Sequence, residues 1–307
     1  MRLRSSTARL AAILAIVLAG GMLNACASAR PLSEPPGAHP TPTETIVRGN
    51  GYSSAPQGPG AFVLRYGATE LHLDPVTYCY SNGCVDGVDP DPPSVGSPDE
   101  LLVFVPVAAF DRFSANQLEG GDYCSGRSVD AEVTALGDGW WSVTPRGPAG
   151  DYELHLFAYG NGAGDMFATV RWQSSTDRGL PDPTASLALI ADHDGVPDSY
   201  GLELAIGNLT ESPAESAATI TVTAANGEAL TIEATRSPDT CEGEGALYFD
   251  GPDAEASAAA RLGDFPFTYR VELVLDGATY VATATFPDDL IEDHGVAVAL
   301  EFAPELS

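Results

Sequence analysis

Apolar and polar residues alternate with a period of two along much of this chain. In Tyr152-Glu153-Leu154-His155-Leu156 every second side chain is apolar, which is the pattern of a strand with one buried face. Further strand-like runs are AFVLRY (61–66), ELLVFVPV (100–107), DYELHLFAY (151–159) and MFATVRW (166–172). AATITVTA (217–224), ALTIEAT (229–235) and TYRVELVL (268–275) continue the series. Asp138-Gly139, Asn226-Gly227 and Asp276-Gly277 stand where hairpins would turn, because these dipeptides tolerate the positive φ of tight turns. Only PDAEASAAAR (252–261) suits a short helix. Many short strands separated by Gly and Pro predict an all-β fold, a sandwich or barrel, and not α/β layers.

The alternation fails in two places. Residues 10–23, LAAILAIVLAGGML, are uncharged and mostly aliphatic, and the nine residues before them hold three arginines and no acid. This is the form of a secretory signal peptide, short of the roughly 20 apolar residues of a membrane span. Leu23-Asn24-Ala25-Cys26 follows and resembles the lipobox of bacterial lipoproteins. The resemblance implies that residues 1–25 are removed and that Cys26 carries the lipid; two or three acyl chains then anchor the protein stably to the membrane. The second break is ASARPLSEPPGAHPTPTETIVRGNGYSSAPQGP (27–59), which has almost nothing large and apolar to bury. It predicts that residues 26–59 form a disordered, semi-extended linker.

Composition narrows the function. The chain has 14 basic and 43 acidic side chains, a net charge of −29, and no lysine; loss of residues 1–25 would take this to −32. Nucleic acid is thereby excluded as a partner, since duplex phosphates need clustered Lys and Arg. Docking of the folded surface on anionic lipid is disfavoured on the same ground. Beyond Cys26 lie four cysteines, Cys79, Cys84, Cys124 and Cys241. Outside the cytoplasm an even, sparse set points to two disulfides, with three possible connectivities. Cys79 and Cys84 are near enough for a local bridge, which leaves Cys124 and Cys241 to pair. Metal binding is the alternative, but no second close Cys or His pair completes a zinc site.

A weak internal repeat suggests the domain plan. Cys124 precedes Tyr152, and Cys241 precedes Tyr269, by the same interval, and each tyrosine is followed eight residues later by Gly160 or Gly277. Two similar β-sandwich domains are expected, 60–177 and 183–305, joined by the hinge RGLPDP. GPAGDYELHL and GDFPFTYRVEL resemble the late strand of immunoglobulin-like domains, where a tyrosine bonds back to the preceding corner. Leu154 and Val271 occupy the position of the cysteine found two residues on in antibody domains, so that inter-sheet disulfide is absent. With its lipobox and the segment TYCYSNGCVDG (77–87), the chain resembles uncharacterised exported lipoproteins of high-GC Gram-positive bacteria. That resemblance implies an extracytoplasmic, membrane-anchored protein and no particular activity.

Candidate chemistry is sparse. The G-x-S-x-G elbow and the H-E-x-x-H signature are absent, and without lysine there is no P-loop. His72 and His155 alternate with leucines and are expected on exposed strand faces. Asp192, Asp194 and Asp198 surround Gly195 as oxygen ligands surround calcium, but the glycine stands at the fourth position and no distal Glu follows; a hairpin turn is the simpler reading. No catalytic residue and no cofactor is therefore assigned. The expected function is a non-enzymatic envelope scaffold that binds or displays toward a protein or polymer partner. The alternative is a secreted hydrolase with its site between the two domains, which a deep cleft with carboxylates of raised pKa would favour. A transporter's solute-binding protein is a third option, weakened by the lack of α/β lobes.

Overall fold

The computed structural model describes residues 28–49, 58–81, 83–237, 241–291 and 296–307. The chain begins with β1 (Glu44–Arg48), β2 (Phe62–Tyr66), β3 (Thr69–Leu73), β4 (Thr77–Tyr80), β5 (Gly83–Val85) and β6 (Leu101–Phe104). It continues through β7 (Arg112–Glu119), β8 (Ser128–Asp130), β9 (Glu132–Gly137), β10 (Trp140–Thr144), β11 (Gly150–Gly160) and β12 (Gly164–Ser174). These form two six-stranded sheets, ordered β1-β3-β2-β6-β10-β9 and β5-β4-β12-β11-β7-β8. Phe62, Leu64, Leu71 and Val103 of the first sheet pack against Leu154, Leu156, Met166 and Trp172 of the second. Alternation explains this facing pair: each strand turns one apolar row inward, and the two rows interdigitate. The all-β expectation holds, and each strand-like run named above lies on a strand.

The first sheet departs from simple alternation. Leu101, Leu102, Val103 and Phe104 are all buried, so both faces of β6 are covered. On the outer face Val63, Leu102, Phe104 and Trp140 form a small cluster of their own. What covers it is the segment expected to be a disordered linker. Ala29 bridges Val107, the Trp140 indole N–H donates to the Ser33 carbonyl (2.9 Å), and Pro35 is buried. Glu34 Oε2 accepts from Arg65 Nη1 at 2.6 Å. The segment then becomes β1, which runs parallel to β3 from Glu44 beside Thr69 to Arg48 beside Leu73. The linker reading is therefore corrected over 28–49. The segment has little to bury, but the sheet beneath offers apolar surface and it supplies the cover. Its five prolines keep it extended and lower the entropy lost on docking.

After residue 175 come β13 (Thr184–Ala188), β14 (Ala191–Asp192), β15 (Pro197–Asp198), β16 (Leu202–Gly207), β17 (Ser216–Ala224) and β18 (Ala229–Arg236). β19 (Leu247–Gly251), α1 (Asp253–Ala260), β20 (Phe267–Leu275), β21 (Ala278–Phe286) and β22 (Ala297–Ala299) complete the chain. Eight of these strands form one sheet, β21-β20-β17-β18-β19-β16-β13-β22, which encloses a second large core drawn from residues 187–302. Asp138-Gly139 and Asp276-Gly277 both carry positive φ, as the hairpin reading requires. The Tyr152 hydroxyl donates to the Pro148 carbonyl at 2.7 Å, which is the corner bond the sequence suggested. Tyr269 is fully buried in the matching strand.

Both cysteine pairs are bonded: Cys79 to Cys84, with Cα atoms 4.1 Å apart, and Cys124 to Cys241 at 4.5 Å. The second bond joins the loop after β7 to the loop before β19. Beside it the buried Arg127 donates to the carbonyls of Leu209 (2.7 Å) and Thr210 (3.0 Å) and to Glu244 (2.6 Å). The hinge is pinned as well, since Gly147 N donates to Gly179 O at 2.7 Å and Arg178 N to Gly147 O at 3.0 Å.

Candidate binding face

β11 places Leu154, Leu156 and Ala158 inward and Glu153, His155, Phe157 and Tyr159 outward. β12 sets Phe167 opposite Phe157 and Arg171 opposite Glu153, and β7 sets Arg112 opposite Tyr159. The outer face of the second sheet thus carries an aromatic row flanked by both signs of charge. The Phe157 and Tyr159 rings are 5.3 Å apart, and the Arg112 guanidinium lies 5.7 Å from the Tyr159 centroid. Phe157 is 37 % exposed. No strap crosses this face among the described residues, whereas the corresponding face of the first sheet is closed by 28–36.

At its upper end the row is joined by Tyr123, which is 53 % exposed and reaches over from the loop that holds Cys124. The Tyr123 ring lies 5.3 Å from that of His155, which in turn meets Phe167 at 5.2 Å. His155 is therefore buried, contrary to the exposed position expected of it. Alternation correctly places it on the outward face, and Tyr123 then covers it. The Tyr123 hydroxyl bonds Nδ1 while Nε2 faces Glu153 Oε1 at 3.0 Å. Burial, and then the Glu153 charge, raise the Tyr123 phenol above its ordinary range. The Tyr123 hydroxyl and the Glu153 carboxylate thus hold the two ring nitrogens of His155 from opposite sides. These bonds hold the Tyr123 ring over His155 and order this part of the face. A hollow lined by Glu153, Asp151, Arg171, Gln173, Gly120 and Gly121 opens beside it.

The expected site residues fall as follows. Residues 1–27, with the signal segment and Cys26, lie outside the described residues; among those described no helix is long and apolar enough to cross a membrane. Asp192 Oδ1 accepts from Gly195 N (2.7 Å), Asp194 Oδ1 from Val196 N (3.1 Å), and Asp198 faces His193 Nδ1 at 3.1 Å. These carboxylates serve the β14–β15 turn, and no group of three metal-ligating side chains converges among the described residues. Among the described residues the carboxyl groups displaced in pKa are Glu34, Glu70 and Asp122, each held downward by hydrogen-bonding partners. Arg127 bonds across the junction of the two cores, and a hollow lined by Glu132, Arg146, Arg178 and Asp182 opens at the hinge. The aromatic face itself went unnoticed in the sequence, although the DYELHLFAY run, with Phe157 and Tyr159 on its polar side, carried the signal.

The chain matches no protein-family model, and no curated protein is similar to it.

Proposed function

We propose that this chain is an exported envelope protein, anchored by lipid at Cys26, whose two β-sandwich domains (60–177 and 183–305) form a binding scaffold without catalytic activity. One observation carries the reading. The protein covers the apolar outer face of one sheet with its own chain and leaves the aromatic outer face of the other open. Aromatic rings with Arg and polar neighbours are the composition of recognition surfaces, where flat rings supply contact area at little entropic cost. The partner is a protein or polymer of the envelope.

Crosslinking from intact cells, followed by recovery of the chain, tests this. A partner captured by the native protein should fall at least tenfold with the double variant Phe157→Ser/Tyr159→Ser and with Cys26→Ala. Both substituted rings are outside the core, so the fold is retained. Equal capture by the native and face-variant chains would refute the assignment of the face.

A further inference from the structure

The docked strap fixes more than the cover of a sheet. Ser28 O accepts from Ala108 N at 3.2 Å, Arg30 Nη2 donates to Ala108 O at 3.0 Å, and Ala29 bridges Val107. Cys26 precedes Ser28 by only two residues. Two Cα–Cα steps reach roughly 7.6 Å. If Cys26 carries the lipid, no spacer separates the bilayer from the fold.

The strand registers show which part of the fold is placed there. Ala109 O lies so close to Gly160 that a Cβ at that glycine would fall 1.9 Å away, and the Cys79 carbonyl meets Gly164 in the same way. The Val107–Phe110 loop, the Gly160–Gly164 turn and the turn after Tyr80 therefore share one end of the first core. Asp138 joins it, because Val105 N bonds the Gly139 carbonyl. The opposite end holds Gly120, Gly150 and Cys124. Eleven residues of β11 separate the two ends, about 33 Å at the rise of a strand. The second core attaches there, through Cys241 and the hinge. Within it β16 pairs Gly207 with Thr184 nearest the hinge, so the loop with Val196 and Tyr200 points away from it.

The chemistry of the near end bears on its approach to a membrane. Ala108, Ala109, Asn161, Gly162 and Ala163 form its tips, uncharged in a chain with 43 acidic side chains. Asp111, Asp138 and Asp165 flank them, and Asp165 is held by the Cys79 backbone N–H at 3.1 Å. Its uncharged tips can meet the headgroups, and the two-residue tether holds this end there against the repulsion of the exposed Asp111 and Asp138 from anionic lipid.

We infer that this end of the first core rests against the headgroup layer of the bilayer, held there by the docked strap, while the second core and its Val196–Tyr200 loop are carried outward. The inference rests on the lipid anchor proposed above. It replaces a protein on a flexible leash with one of fixed orientation, and it stands the aromatic face of β11 upright over the membrane.

The test uses the full lipidated chain in vesicles of phosphatidylethanolamine and phosphatidylglycerol, with Ala109, Asn161 or Tyr200 replaced singly by the photo-crosslinker p-benzoylphenylalanine. All three positions are at the surface, so each variant folds. Lipid adducts at positions 109 and 161 should exceed those at 200 at least tenfold. Insertion of twenty Gly/Ser residues between Ala27 and Ser28 should bring them down to the level at 200. Equal adducts at the three positions, or an insertion without effect in a chain that still carries its lipid, would overturn the inference alone. A chain whose Cys26 peptide shows no lipid mass would overturn the anchor, and this inference with it.

Discussion

Under the strap, Glu70 faces two donors from different strands. Its carboxylate accepts from Arg65 Nε at 2.8 Å and from His72 Nε2 at 2.7 Å, while Arg65 also holds Glu34 and lies over the Trp140 ring. Burial by itself would raise the Glu70 carboxyl. The hydrogen bonds from His72 and Arg65, with their charges, outweigh it and hold the group below its ordinary value of 4.5. A carboxyl depressed on folding adds stability that is present in full above its unfolded value and is lost as pH falls through the folded one. The native chain should therefore lose stability below about pH 4.5, more steeply than Glu70→Gln. At pH 7 the variant should be weaker by about 1.5–3 kcal/mol, the range for hydrogen bonds to charged groups. Urea midpoints of the two chains between pH 3 and 7 check this. Parallel curves would show that Glu70 does not couple strap docking to pH.

The strap is the element whose removal says most about the fold. Without residues 28–49 the surface of Val63, Leu102, Phe104 and Trp140 opens to water, at about 25 cal/mol per Å² of apolar area. A chain that begins at Gly58 should bind an apolar dye such as ANS more strongly than the chain from Ser28. It should also melt several degrees lower, and unchanged dye binding would mean that the sheet closes its own outer face. The alternating strands were legible in the sequence because each needs only one buried face, which period two records directly. The strap was not, because its fold depends on a surface made by other strands. Its own residues are too polar to announce it, and the visible sign was ELLVFVPV, apolar on both faces and thus covered on both. His155 failed in the same way. Its outward direction followed from alternation, but the cover comes from Tyr123 in a loop 32 residues earlier.

For the molecule as a whole the question is whether the two cores behave as one. The closeness of Cys79 to Cys84 left Cys124 and Cys241 to pair and so made that bond readable; the ends that meet there became visible only with the strand registers. In the chain-entropy model the bond between them, closing a separation of 117 residues, contributes roughly 5 kcal/mol, against roughly 2 for the short Cys79–Cys84 loop. Much of that stabilisation exists only if both cores unfold together. The double variant Cys124→Ser/Cys241→Ser should therefore reduce cooperativity as well as stability. The tryptophans report on this without added probes, since Trp140, Trp141 and Trp172 all belong to the first core. Tryptophan fluorescence follows that core alone, and far-UV circular dichroism follows both. In the native chain the two urea midpoints should lie close together, and in the double variant they should separate, because the covalent link is gone and the hinge, the Arg127 contacts and the bond from Glu244 N to Gly126 O are what is left to join the cores. Limited proteolysis should then cut between residues 175 and 183. If the midpoints stay together, the contacts around Arg127 couple the cores by themselves, and the disulfide adds stability without setting the angle between them.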